Sequence, residues 1–166
     1  MIQFRRNPLD RKEAEMPTIE DAIAFAALRH KGQKDKIGAP YIYHLLDVMF
    51  RLNSEEEKIL GVLHDSREDQ GVTSGELRDL GYSEAIIEAL DYVTKKPSEE
   101  KDYDAFIERI RGGPILAIKA KLADLASNTD PKRLTESNEK TRRRQAKYEK
   151  AIEILQEELT LRGAKL

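Results

Sequence analysis

Cysteine is absent from this chain of 166 residues. Without thiols there is no disulfide framework and no thiolate zinc site, so any metal must be held by histidine nitrogen and carboxylate oxygen. That donor set favours manganese, iron or magnesium over a structural zinc. No apolar run approaches the length of a membrane span, and the opening Met1-Ile2-Gln3-Phe4-Arg5-Arg6 lacks a signal-peptide hydrophobic region, so a cytoplasmic protein with no membrane partner is expected. Neither sign of charge dominates. The 29 basic and 31 acidic residues leave a net charge of −2, which describes a mixed surface and argues against nucleic-acid binding. No internal repeat, low-complexity tract or credible strand pairing is visible. The length suits one domain with a core that needs no cross-links. We read residues 1–17 as an N-terminal extension and 18–166 as that domain.

What is present is helical pattern nearly throughout, and the fold expected is an all-α, compact helical bundle. Thr18 precedes apolar residues at helical spacing over about residues 19–32. Pro40 stops any preceding helix, and a second spans about 42–52. A third begins at Glu55-Glu56-Glu57, whose charges suit a helix N-terminus, and is expected to continue to about Asp69. Thr73-Ser74-Gly75-Glu76 fits a capping box opening a short helix that Gly81 closes, and Ser83 caps another to about Thr94. Asp102 can cap a helix through Arg111, and Gly112-Gly113-Pro114 separates it from the helix bearing Asp124. A long last helix covers about Asn138 to Arg162.

Within the third helix, the apolar run Ile59-Leu60-Gly61-Val62-Leu63 ends in His64-Asp65, and Glu68-Asp69 follow one turn later. Residues four apart share a helix face, so a continuous helix would put one imidazole and three carboxyl groups on one stripe. Such a stripe can hold a divalent cation, or it can be an ordinary solvated helix end. The chain has two other histidines, His30 and His44, in segments that can pack beside it. Asp124 sits in an otherwise apolar helix with Asn128 one turn on, and a buried carboxylate is costly unless it is paired or metal-bound. It is either a fourth ligand or a buried acceptor of hydrogen bonds.

Taken together these segments resemble the HD-domain hydrolases of the RelA/SpoT type, including the small alarmone hydrolases, over about residues 18 to 155. The matching pieces are His30-Lys31-Gly32-Gln33, Gly38-Ala39-Pro40-Tyr41-Ile42 with His44, His64-Asp65-Ser66-Arg67-Glu68-Asp69, Val93-Thr94-Lys95, Lys121-Leu122-Ala123-Asp124 with Asn128, and Arg144 with Tyr148. The resemblance implies a divalent metal, expected to be Mn2+, on His44, His64, Asp65 and Asp124. It implies Glu68 and Asp69 as the catalytic acids, and a nucleotide substrate met by Lys34, Lys36, Lys121, Asn128, Arg144 and Tyr148. The chemistry implied is removal of pyrophosphate from the 3′ position of guanosine tetraphosphate or pentaphosphate by a stand-alone hydrolase. Asp35 stands where the family usually has a basic residue, and Leu45 where many relatives have proline. Two other classes therefore stay open: an HD-type hydrolase of another nucleotide or phosphorylated metabolite, and a non-catalytic nucleotide-sensing module. The basic run Thr141-Arg142-Arg143-Arg144, at a helix start where the dipole disfavours it, points to acidic side chains or substrate phosphates.

Overall fold

The computed structural model describes residues 16–133 and 138–166; residues 1–15, nearly all of the expected extension, lie outside them. Helix α1, Ile19–Arg29, opens on a reciprocal capping box between Thr18 and Asp21. Helix α2, Ile42–Phe50, begins where Pro40 allows, and α3, Glu55–Leu63, opens on a second box between Ser54 and Glu57. All of Ile59 to Leu63 is buried in α3. Gly61 is required there because α2 crosses too closely for a side chain. A Cβ on it would lie 2.6 Å from Leu52 Cδ1 and 3.2 Å from the Met49 Cα.

The expected helix from Glu55 to Asp69 is in fact two helices. The helix is interrupted at His64-Asp65, and a separate α4, Ser66–Gln70, follows. Asp65, at φ −96° and ψ −1°, lies in the sparsely populated bridge region, a conformation common among active-site residues. Gly71 then ends α4 in the left-handed region at φ 66°. Beyond it come α5, Ser74–Leu80, α6, Glu84–Val93, a single 3-10 turn at Pro97–Glu99, α7, Tyr103–Arg111, α8, Ile115–Thr129, a second 3-10 turn at Pro131–Arg133, and α9, Glu139–Leu161. Among the described residues there is one isolated β-bridge, Lys34 to Pro40, and no strand. None of the described helices is long and apolar enough to cross a membrane.

Besides a small third cluster of Val48, Leu52 and Ala123, two large apolar clusters form most of the core. One joins α1, α2, α3 and α6 through Leu45, Ile59, Leu60, Leu63, Ile86 and Leu90; the other joins α7, α8 and α9 through Phe106, Ile110, Ile118, Leu125 and Leu155. Helix α8 belongs to both, giving Ala117 and Ala120 to the first and Ile118, Leu122 and Leu125 to the second. It packs against α2, α3, α6, α7 and α9. The one carboxylate on its buried side, Asp124, is thereby carried between α2 and α3, to the point where they present their histidines.

Candidate metal centre and cleft

His44, from α2, is 2% exposed and His64, at the end of α3, 4% exposed, so neither ring can rely on water for its polar atoms. Their centroids are 5.2 Å apart at 75°, in edge-to-face contact. His44 Nε2 lies 3.3 Å from Asp124 Oδ1 and 3.7 Å from Asp65 Oδ2. His64 Nε2 lies 3.0 Å from Asp65 Oδ2 and 3.6 Å from Asp124 Oδ1. Nitrogens of both imidazoles and an oxygen of Asp124 fall within 4.8 Å of one another, close enough to share one ion.

The His64 tautomer decides what this cluster can hold. Its Nδ1 faces the Gly61 carbonyl at 2.7 Å, and since a carbonyl only accepts, Nδ1 carries the proton. In the neutral ring Nε2 is then a bare lone pair, buried, without a hydrogen-bond partner and facing two carboxylates. Lone pair against carboxylate is repulsive unless a proton or a cation lies between. The electrostatics agree. Burial opposes charge on His64, yet Asp65 and Asp124 outweigh it and raise its proton affinity well above the ordinary imidazole value. Burial likewise opposes ionisation of Asp65, and the His64 ring outweighs it, pushing the carboxyl down to about 2. Asp124 is held well below its usual range against burial by Lys121 and the two histidines. A site that draws a proton this strongly suits a divalent cation held by nitrogen and oxygen donors.

Around the cluster, side chains the sequence pattern does not single out fix its members. Tyr41, three residues before His44, gives its hydroxyl hydrogen to Asp65 Oδ2 at 2.5 Å. Burial and the Asp65 charge raise the Tyr41 phenol above its ordinary value, keeping it a donor. Ser127, one turn beyond Asp124, meets His44 Nδ1 at 3.0 Å. Arg133 Nη1 also donates to that nitrogen, at 2.6 Å, and to Ser127 Oγ at 3.1 Å. A His44 that ligates through Nε2 must carry its proton on Nδ1 and donate it to Ser127, with the Arg133 guanidinium withdrawn.

Beside the cluster opens a cleft of about 130 Å³, lined by His64, Asp65 and Asp124 and, among others, by Glu68, Lys95, Lys121, Asn128, Lys147, Tyr103 and Tyr148. Lys121 Nζ bonds Asp124 Oδ2 at 2.8 Å and Asn128 Nδ2 bonds Asp124 Oδ1 at 2.6 Å. Burial would lower the Lys121 ammonium, but Asp124 outweighs it and holds it above its usual value. Lys147, which lies 4.2 Å from the Tyr103 ring centroid, is lowered by burial and then by Lys95, Lys121 and Arg144. Lys36 is lowered by burial and then by Arg144, Lys140, Lys147 and Arg133. Lys95, Lys121 and Lys147 thus give the cleft three cations that suit an anion, whereas Lys36 and Arg144 are not among the residues lining it.

Glu68 and Asp69, consecutive on α4, face different partners. Glu68 lines the cleft and accepts from the Lys95 backbone N–H at 3.1 Å. Asp69 turns toward Gln33, which donates to its Oδ2 at 2.7 Å. Of the expected stripe, His64, Asp65 and Glu68 line the cleft together, and Asp69 is not among the lining residues. Lys34 is exposed in the bridge to Pro40 and is not among the cleft-lining residues. Asp35 spends its charge locally, Oδ1 accepting from Ile37 and Ala39 N–H groups while Oδ2 lies 3.8 Å from Arg133. Of the basic run before α9's second turn, Arg143 pairs with Glu139 on its own helix, and Arg144 joins the group around Lys36. Tyr41, Ser127 and Lys147 carry a findable signal, because each lies one to four residues from a predicted site residue. Tyr103 and Arg133 carry none.

No protein-family model matches the chain. Relatives by sequence include a GTP pyrophosphokinase of Myxococcus xanthus, 34% identical over 131 residues. They also include the guanosine-3′,5′-bis(diphosphate) 3′-pyrophosphohydrolase of Aquifex aeolicus (strain VF5), 32% identical over 120 residues. The matches cover 70% and 66% of this chain, but only 17% of either relative. A solved structure described as a metazoan orthologue of SpoT that hydrolyses ppGpp superposes with a TM-score of 0.70 at 21% identity, covering 92% of this chain and 100% of that one. The chain is thus similar in sequence to a segment of these two relatives, and it shares the fold of the SpoT orthologue.

Proposed function

We propose that the chain is a metal-dependent phosphohydrolase that removes pyrophosphate from the 3′ position of guanosine tetraphosphate or pentaphosphate, acting in the cytoplasm with manganese. The observation that carries this reading is the buried His64 Nε2, without a hydrogen-bond partner and facing Asp65 and Asp124 beside a cleft lined by three lysines. The activities named for the Aquifex relative and the SpoT orthologue support it. Held by His44, His64, Asp65 and Asp124, a divalent cation supplies Lewis acidity toward a phosphoryl oxygen and toward the attacking water.

The remaining work falls to the protein. Lys95, Lys121 and Lys147 offset the charge of the 3′-diphosphate, and their enclosure strengthens each contact. Glu68, in the cleft wall, takes the proton of the attacking water; Asp69, held by Gln33 at the next position of α4, is assigned the orienting of that water. An oxygen–phosphorus bond forms at the phosphorus nearest the ribose while the bond from that phosphorus to O3′ breaks. O3′ leaves with a proton as a hydroxyl, and inorganic pyrophosphate is released. Asn128 and Tyr148 meet the nucleoside, and Lys36 with Arg144 meets its other phosphates. Lys34 is left out of this assignment. Asp35, its oxygens turned into its own loop, does not oppose a guanine nucleotide.

Release of pyrophosphate or phosphate from a nucleotide panel, with manganese added, tests the reading. Guanosine tetraphosphate should be consumed with pyrophosphate as a product. Turnover of another nucleotide with guanosine tetraphosphate inert would refute the substrate assignment, and tight binding without turnover of any would refute the catalytic one.

A further inference from the structure

Asp69 is exposed, and an exposed carboxylate samples several rotamers unless something holds it. The Gln33 amide holds it. Gln33 Nε2 donates to Asp69 Oδ2 at 2.7 Å, while Gln33 Oε1 accepts from Gln70 Nε2 at 2.6 Å and from His30 Nδ1 at 2.8 Å. This amide cannot be flipped: its NH2 would then face two donors and its oxygen a carboxylate. The arrangement fixes His30 with the proton on Nδ1.

The same segment reaches the metal cluster. His30, 3% exposed, stacks on Tyr41 with centroids 5.5 Å apart at 22°, and Tyr41 bonds Asp65. The Tyr41 N–H donates to the Gln33 carbonyl at 2.9 Å, so both side chains leave one closed loop. Through Tyr41 the loop grips Asp65, and through Gln33 it grips Asp69. It thereby sets the position of the Asp69 carboxylate relative to that of Asp65, one helical turn before it.

We propose that Gln33 is a positioning residue that aims Asp69, with His30 and Gln70 locking its amide. The inference rests on the catalytic role given to Asp69 above. Orientation of a reacting group acts on the chemical step more than on substrate binding. Losing one hydrogen bond of this kind should cost roughly ten-fold in kcat, with KM changed by no more than about two-fold.

Gln33→Leu, nearly isosteric but unable to donate, is the test, with Gln33→Glu as a second variant that keeps the acceptor for His30 and Gln70. Guanosine tetraphosphate and the generic ester bis(p-nitrophenyl) phosphate serve as substrates, with manganese. The expected result is the kcat loss with manganese stoichiometry unchanged, and no additional loss when Gln33→Leu is combined with Asp69→Asn. A purely structural Gln33 would lower activity by the same factor in both backgrounds, and that outcome, or an unchanged kcat in both single variants, overturns the proposal. If the wild type hydrolyses only the generic ester, the alarmone assignment falls while the ratios of variant to wild type still decide this one. If it hydrolyses neither, both fall.

Discussion

Removing the Arg109 guanidinium should destabilise the fold by about 3 kcal/mol, the lower end expected when one partner of a buried ion pair is deleted. Arg109 Nε and Nη2 donate to the two carboxylate oxygens of Glu99 at 2.5 and 2.8 Å. Nη1 and Nη2 also donate to the Asp91 and Thr94 carbonyls at 3.2 and 2.9 Å. The side chains are 21% and 9% exposed, so water replaces these partners poorly. In Arg109→Ala, Glu99 keeps only the Lys96 N–H, at 2.9 Å, and two carbonyls lose their donor. Glu99→Gln should cost less, because the amide oxygen still accepts a hydrogen bond and the Arg109 charge, more exposed than that of Glu99, keeps its two carbonyl acceptors. The double variant should cost clearly less than the sum, since the charge that makes Arg109→Ala costly has gone. The clamp also holds the segment from Thr94 to Glu99, which presents Lys95 to Glu68, so Arg109→Ala should weaken turnover as well. Urea unfolding monitored by circular dichroism measures all three. A loss under about 1 kcal/mol for Arg109→Ala, or strict additivity in the double variant, would refute the reasoning, since exposed ion pairs behave that way.

Ser127→Ala deprives His44 Nδ1 of its acceptor in the ligating tautomer, and manganese affinity should fall about 10- to 100-fold by calorimetric titration, with the fold intact. Glu57, paired with Lys119 at 2.7 Å and capping α3, supplies a pH-dependent increment of stability. Burial pushes its carboxyl up, but Lys119 and the Asn53 and Ser54 N–H groups outweigh that and hold it below 4.5. A depressed folded value means the increment is complete above about pH 5 and is lost as pH falls through the folded value. Glu57→Gln should therefore be less stable than wild type by about 1–2 kcal/mol at pH 7, and thermal melts should converge as pH falls through the depressed folded value of Glu57.

Much of the scaffold was legible because its signals are local. Thr18 ahead of α1, Pro40 ahead of α2, the acidic start of α3 at Glu55, the Thr73, Ser83 and Asp102 caps and Gly81 after α5 each act within a few residues. The break at Asp65 was not legible, since the four-residue spacing from His64 to Glu68 suits a continuous helix equally well. The break follows from tertiary demands on one carboxylate, which is gripped by Tyr41 from 24 residues away and faces both histidines. Asp124 was readable as a costly charge in an apolar helix, and its link to Ser127 and His44 emerges only when α8 packs on α2 and α3. The departure at Asp35 looks severe as a charge reversal in the sequence. In the structure two backbone N–H groups and Arg133 account for that charge.

Metal stoichiometry tests the central claim most directly. Manganese counted by elemental analysis after exhaustive dialysis should come to one ion per wild-type chain and to none in Asp65→Ala, with turnover of guanosine tetraphosphate lost in step. A metal-free Asp65→Ala protein that retains full turnover would contradict the account.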